Sequence, residues 1–402
     1  MSPLPRSSAW SSGRSLLTAV IAGLVTLTVL AAPGSASNDS RDGEVRGLTP
    51  ATPSAGSTAA GGQASPESPS PSGAPSPSGA PSGPITLAFG GDVHFEAQLT
   101  SLLDHPDDAL AALRPYLASA DVAMVNLETA ITGRGTPQPK EYHFRTSPAA
   151  LRAVAGAGVD VVTMANNHAV DFGPGGLADT LAARRASPVR VVGIGENAAD
   201  AYSPAIFTVR GRTVAILGAS QLADWTLQHF AATGDRPGIA GAQPLEPLLA
   251  AVRATRRQAD VVVVYLHWGV ERMECPEEQQ RGAARSLVDA GADVVVGAHP
   301  HVLQGAGWLG GAFVAYSLGN FVWYNHGSEA STSTGVLTLT LDGRRVTAST
   351  WTPLRIGADG IPRALHDAER ARMARAWERS RTCTALAATP PPRPAGDHES
   401  RR

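Results

Sequence analysis

From residue 85 to residue 352 the chain repeats one pattern: a short apolar run, a polar cluster, then a stretch with helical spacing. The apolar runs cover 85–89, 122–125, 159–163, 189–194, 213–217, 261–266, 294–296 and 313–316, and most show no polar alternation. Such β-branched runs predict strands covered on both faces. Helices are predicted over 106–119, 147–157, 175–186, 244–258 and 276–290, with Gly158 and Gly291 where a left-handed cap ends a helix. Past 335 the pattern changes to a pair of runs, 335–341 and 345–351, that reads as antiparallel. Strands alternating with helices predict an α/β domain.

Polar residues fall at one kind of place in this pattern. Asp92 and His94 follow the first strand, Asn126 and Glu128 the second, and Asn166, Asn167 and His168 the third. His267 follows the run at 261–266, and His299 and His301 follow the run at 294–296. In open α/β sheets, ligands bind at the carboxyl ends of the strands. Each residue alone has a plainer reading: Asp92 as a turn former, Glu128 as a solvated charge, Asn166 and Asn167 as turn or capping residues, His267 as a buried, hydrogen-bonded histidine. Together, five groups at one edge favour a shared site. One Asp, one Glu, one Asn and four His supply oxygen and nitrogen donors that suit Zn, Mn or Fe rather than Ca, Mg or Cu(I). Seven donors exceed one tetrahedral shell, so two divalent transition ions sharing a carboxylate are predicted, with the hydrolytic chemistry such a pair supports.

Charge narrows the partners. The 402 residues carry 33 Lys+Arg against 35 Asp+Glu, which leaves no whole-chain field to suggest nucleic acid or an anionic membrane surface. A single lysine, Lys140, among abundant arginines reads as codon bias. Arg6 and Arg14 precede an apolar stretch over 16–32 and then small residues to Ala36. That is the pattern of a secretory signal or, if retained, of an amino-terminal membrane anchor over 1–36. Both imply export. Residues 37–84, almost all Ser, Pro, Gly, Ala and Thr, cannot bury enough apolar surface to order; they are a spacer or a tolerated insertion. A disordered tail is likewise expected over 384–402, leaving 85–383 as the folded domain. Cys275 and Cys383 show no C-x-x-C spacing; in an exported protein they form one bridge or remain two thiols.

Six ordered motifs then carry a resemblance. They are Gly91-Asp92; Asn126-Leu127-Glu128; Asn166-Asn167-His168 with Asp171 and Gly173; His267-Trp268-Gly269 with Glu271; Gly297-Ala298-His299-Pro300-His301-Val302; and Tyr316-Ser317-Leu318-Gly319-Asn320-Phe321. The chain resembles the poly-gamma-glutamate capsule biosynthesis family, CapA, within the calcineurin-like metallophosphoesterase superfamily. The resemblance implies a four-layer α/β/β/α sandwich with mixed sheets. It implies one metal on Asp92, His94 and His301, a second on Asn167, His267 and His299, and Glu128 bridging them. His168, oriented by Asp171, would face the substrate as a catalytic acid. Glu128 stands where the superfamily usually has Asp, and Asp92-x-His94 follows the wider superfamily more closely than the capsule family.

The resemblance extends to substrate binding. Arg145 resembles a position whose guanidinium binds phosphate or carboxylate, its plainer reading being an exposed ion pair; Asn320 resembles a position at the rim of the site. Trp268, Trp323 and Tyr324 line a groove or pack the core, Glu271 orients a ligand, and His143 and His326 are surface residues. The implied function is an exported metal-dependent hydrolase acting on a phosphoester or an anionic envelope polymer. The alternative is a non-catalytic accessory subunit of a membrane-bound polymer synthase.

Overall fold

The computed structural model describes residues 83–324 and 327–392. The export segment, nearly all of the spacer and the end of the tail lie outside the described residues. Within them the predicted strands assemble into two sheets. In the first, Ile85–Val93, Val122–Leu127, Val161–Thr163 and Arg190–Val192 run parallel in that order. On its other side Ser333–Asp342, Arg345–Ile356 and Pro362–Ala364 continue it antiparallel, and Asn320–Val322 pairs with the carboxyl end of Ile85–Val93. In the second sheet Arg212–Ser220, Val261–His267, Val294–Ala298 and Ala312–Leu318 run parallel, with Ala205–Val209 and Leu303–Leu309 as antiparallel edges.

The layering follows from the strands' two-residue period. Ile85, Leu87 and Phe89 point one way and meet Val261, Val263 and Tyr265 of the other sheet in a shared central core. The intervening Ala88 faces an outer core with Leu151 and Leu177 from helices Ala149–Gly156 and Gly173–Arg185. Val262, Val264 and Leu266 face the opposite outer core with Leu248 and Leu287 from helices Glu246–Arg256 and Glu278–Ala290. Apolar residues at every strand position thus fill three cores at once, and the result is the four-layer α/β/β/α sandwich. Among the described residues no helix is long and apolar enough to cross a membrane.

The structure departs from the sequence expectations in identifiable places. The helix expected over 106–119 is absent; a turn, the 3-10 segment Ala111–Leu113 and the short helix Arg114–Leu117 replace it. Pro115 removes a donor and clashes with a preceding turn, so no continuous ladder forms there. The run at 189–194 splits into Arg190–Val192 and Ile194–Gly195, the latter paired with Gly238–Ile239 in a separate ribbon. Ala205–Val209 escaped notice because an edge strand exposes one face, here Ile206. The tail begins later than expected: Leu386 is buried, and Ala387 exchanges two 2.9 Å hydrogen bonds with Trp308. Cys275 and Cys383 are bonded, with Cα atoms 5.8 Å apart, which ties the loop after Val261–His267 to the turn beyond helix Asp367–Ser380.

Two close approaches bring the sheets together at their carboxyl ends. Tyr265 Oη donates to Gly90 O across the central core at 2.8 Å. Asp92 N–H donates to Gly319 O at 2.9 Å, and a Cβ on Gly91 would lie 1.8 Å from that same oxygen. Only glycine fits there, so Gly91→Ala is expected to destabilise the domain by at least ~2 kcal/mol, the cost of forcing backbone apart in a packed interior. Urea denaturation of the two proteins checks this; equal midpoints would mean that the approach is soft.

Candidate metal centre

Each strand delivers its polar residue to the same end of the sandwich. Asp92 ends the central strand of the first sheet, Glu128 follows Val122–Leu127, and Asn167 and His168 follow Val161–Thr163. From the second sheet come His267, the last residue of its strand, and His299 and His301 just past Val294–Ala298. Donor atoms of Asp92, Glu128 and His301 lie within 4.8 Å of one another, as do those of Glu128, His267 and His299. Asn167 joins the second group, its Oδ1 being 2.8 Å from His267 Nε2. Glu128 is therefore common to both.

The charge state of this cluster is unusual. Glu128 is fully buried, and neither of its carboxylate oxygens has a hydrogen-bond partner among the described residues; His299 Nδ1 has none either. Burial, and then repulsion from Asp92, push the Glu128 carboxyl well above its ordinary range. Burial also opposes charge on Asp92, but His301, His267 and Asn126 Nδ2, at 2.8 Å, hold its carboxyl below the usual value. Burial keeps His299 neutral and lowers His267 to about 4, which leaves both imidazoles in the form that binds metals. His301 differs: burial works against its proton, yet the Asp92 hydrogen bond and the Glu128 charge raise it to about 9. Unpartnered buried oxygens, neutral imidazoles and a negative field around His301 fit a pair of cations.

Backbone strain marks the same place. Among the described residues only six non-glycine residues have positive φ, and His299 at 102°, His301 at 58° and Arg272 at 63° are three of them. Such conformations persist where the surroundings over-determine them, commonly at ligand sites. A buried amide relay helps to hold the strand ends: Asn166 Nδ2 donates to Asn126 Oδ1 at 3.0 Å, and His168 N–H donates to Asn166 Oδ1 at 3.1 Å.

His94 is the one expected ligand that the structure does not bring to the cluster. The strand is irregular between Asp92 and Val93, and His94 lies just past its end. His94 Nδ1 instead accepts the Glu96 N–H at 3.0 Å, and its ring stacks on Phe144 with centroids 4.7 Å apart. His168 stacks on Phe144 as well, at 4.0 Å. His168 Nδ1 lies 2.7 Å from Asp171 Oδ2, while its Nε2 lies 3.8 Å from Glu128 Oε1. Burial outweighs the Asp171 hydrogen bond and holds His168 at about 4, so the ring is neutral near pH 7.

Arg145 does not reach the site; its guanidinium lies 3.4 Å over the Phe172 ring. Lys140, five residues earlier, takes the inward place. Its Nζ donates to Asn167 O at 2.7 Å and to Asp171 Oδ1 at 2.6 Å, and lies 3.3 Å from His168 Nδ1. The signal was present in the sequence, since a lone lysine among 33 basic residues marks a position where arginine was not substituted. Asn320 Oδ1 lies 2.9 Å from His301 Nδ1, and its Nδ2 donates to Ser331 O, so it steadies the His301 ring at the rim. Glu271, exposed, has a carboxylate oxygen within 4.8 Å of the His299 and His301 nitrogens. Trp268 is core, donating to Tyr316 O, whereas Trp323 and Tyr324 line a cavity of about 430 Å³ that opens from His168 and His301. His143 Nε2 lies 2.6 Å from Gln138 O, away from that cavity, and His326 is outside the described residues.

Comparison with known proteins gives these residues a context. The chain is 32% identical over 244 residues to the PGA biosynthesis protein CapA of Bacillus subtilis, covering 60% of this chain and 63% of that one. It is 32% identical over 248 residues to the capsule biosynthesis protein CapA of Bacillus anthracis, covering 60% of each. It therefore spans about six-tenths of the length of these relatives. A solved phosphatase from Mycoplasma pneumoniae superposes with a TM-score of 0.43 at 14% identity, over 68% of this chain and 94% of that one. Residues 86–325, more than half of the chain, match the model of the bacterial capsule synthesis protein family PGA_cap, and the chain belongs to that family.

Proposed function

We propose that this protein is an exported metal-dependent hydrolase that cleaves a phosphoester or a bond of an envelope or capsule polymer. The observation that carries the reading is Glu128, a buried carboxylate shared by two donor groups with both oxygens unpartnered. In this reading Asp92, Glu128 and His301 hold one divalent transition ion, and Glu128, Asn167, His267 and His299 hold the other. A bound pair supplies Lewis acidity and lowers the pKa of water.

The remaining steps belong to the chain. Asp171 accepts from His168 Nδ1, which leaves the Nε2 lone pair facing the cluster. Nε2 takes up a proton as water attacks and returns it to the departing group. Lys140 pairs with Asp171 beside that imidazole and donates to the Asn167 carbonyl, while the Asn167 side chain meets His267. A relative in Mycobacterium tuberculosis, 32% identical over 202 residues, is called a probable polyglutamine synthesis accessory protein, and that name favours the second reading, an accessory subunit of a polymer synthase.

Turnover separates the two. With metal supplied, wild type is expected to hydrolyse at least one of a phosphomonoester, a phosphodiester or a γ-glutamyl oligomer. His168→Ala should keep its metal and lose turnover by roughly 10²- to 10⁴-fold, less for substrates with good leaving groups. A metal-loaded wild type that cleaves none of the three would leave only the accessory reading.

Lys140 gives a second test. Lys140→Met leaves the fully buried Asp171 without its cation and should cost roughly 3 kcal/mol in urea denaturation. Lys140→Arg keeps the charge, but its planar fork cannot reproduce contacts at 2.6, 2.7 and 3.3 Å from one nitrogen. It should fold normally and turn over at least about tenfold more slowly. Wild-type turnover in Lys140→Arg would show that only charge matters there.

A further inference from the structure

We propose that Arg272 is the anion-reading residue of the cavity, receiving an oxyanion of the substrate, carboxylate or phosphate, away from the bond that reacts. The proposal rests on the cavity beside Glu128 being the substrate site. It is carried by the loop between Gly269 and Cys275, whose backbone is held unusually firmly for so exposed a segment. Arg272 N–H donates to Pro300 O, between the two ligand histidines, at 2.7 Å. Gln304 Nε2 donates to Met273 O at 2.8 Å, and Gln304 is itself held by Gln280 at 3.0 Å. Cys275 is bonded to Cys383. These restraints hold Arg272 at φ 63°, a conformation that costs a non-glycine residue energy and persists only when imposed.

The imposed geometry sets Arg272, an exposed residue, on the wall of the cavity. Arg272 lines the cavity with Glu271 and Glu274, yet among the described residues it forms no ion pair or side-chain hydrogen bond with either, although both are within two residues in sequence. Of the lysine and arginine side chains among the described residues, only Arg272 lines that wall; Lys140 is engaged with Asp171 and Arg145 lies over Phe172. A planar guanidinium with free donors is suited to bidentate capture of a carboxylate or phosphate. The rim adds apolar surface: Tyr142, which also lines the cavity, and Val270 and Met273 on the loop are three of the five exposed large apolar side chains among the described residues. Glu271 and Glu274 set a limit on the ligand. They repel a dense polyanion, so the subsite takes one oxyanion flanked by uncharged or cationic groups.

Binding tests this without turnover. Metal-loaded wild type, Arg272→Ala and Arg272→Lys are titrated calorimetrically with γ-glutamylethylamide, which has one carboxylate and one ammonium group, as the carboxylate arm and glycerol 2-phosphate as the phosphate arm. Arg272→Ala should bind one of the two probes about 10- to 100-fold more weakly, the range of a charge-assisted hydrogen-bonded pair. Arg272→Lys should recover part of the loss, and metal content should be the same in all three. The arm that responds identifies the oxyanion. Affinities within twofold in both arms, or no binding of either probe by wild type at millimolar concentration, overturn the proposal. An Arg272-dependent affinity in a protein that hydrolyses none of a phosphomonoester, a phosphodiester and a γ-glutamyl oligomer would keep the subsite and remove the hydrolase reading.

Discussion

A buried carboxylate with no hydrogen-bond partner among the described residues is the constraint around which this domain is arranged. Glu128 is inaccessible to solvent and, with Asp92 beside it, resists ionisation through burial and like charge. In a protein interior such a group is costly unless a counter-charge is supplied. Of the donors around it, His301 is held protonated by Asp92 and Glu128, whereas burial holds His267 and His299 unprotonated and leaves them able to take a metal. The rest of the fold delivers those donors. Two sheets, each with its parallel strands ending at one edge, bring Asp92 and Glu128 from one side and His267, His299 and His301 from the other.

The close fit at that edge explains much of the local sequence. Gly91 has no room for a Cβ against Gly319 O, and Tyr265 reaches across to Gly90 O. His299 and His301 accept left-handed backbone so that their rings converge. Strain of this kind is affordable because three packed cores hold the strands.

The parallel strands and the polar residues at their ends were legible in the sequence because both are local signals. A run of valines needs two covered faces, and a donor placed just past it has only one edge to occupy. What was not legible depends on the path of loops, which no periodicity encodes. The segment from Gly133 to Phe144 brings Lys140 inward and Phe144 between two imidazoles, while pairing of Ala130–Ile131 with Arg145–Thr146 leaves Arg145 over Phe172. Arg145 was expected from the resemblance to bind substrate; it is Lys140, five residues earlier, that lies against His168 and Asp171. His94, which the resemblance places on a metal, is a related case: the strand is irregular between Asp92 and Val93, and the His94 ring stacks on Phe144. The helix expected over 106–119 failed on Pro115, whose effect on the preceding turn apolar spacing does not register.

The most direct measurement is anomalous diffraction from crystals of the wild-type protein grown with Mn, paired with metal analysis in solution. Two anomalous peaks about 3.5–4 Å apart, with Glu128 between them, are predicted, as in other two-metal centres. In solution the same protein should retain two ions per chain, and Glu128→Ala should retain fewer. A single peak, no peak, or two ions that leave the Glu128 carboxylate uncoordinated would contradict the shared-carboxylate centre from which the function is argued.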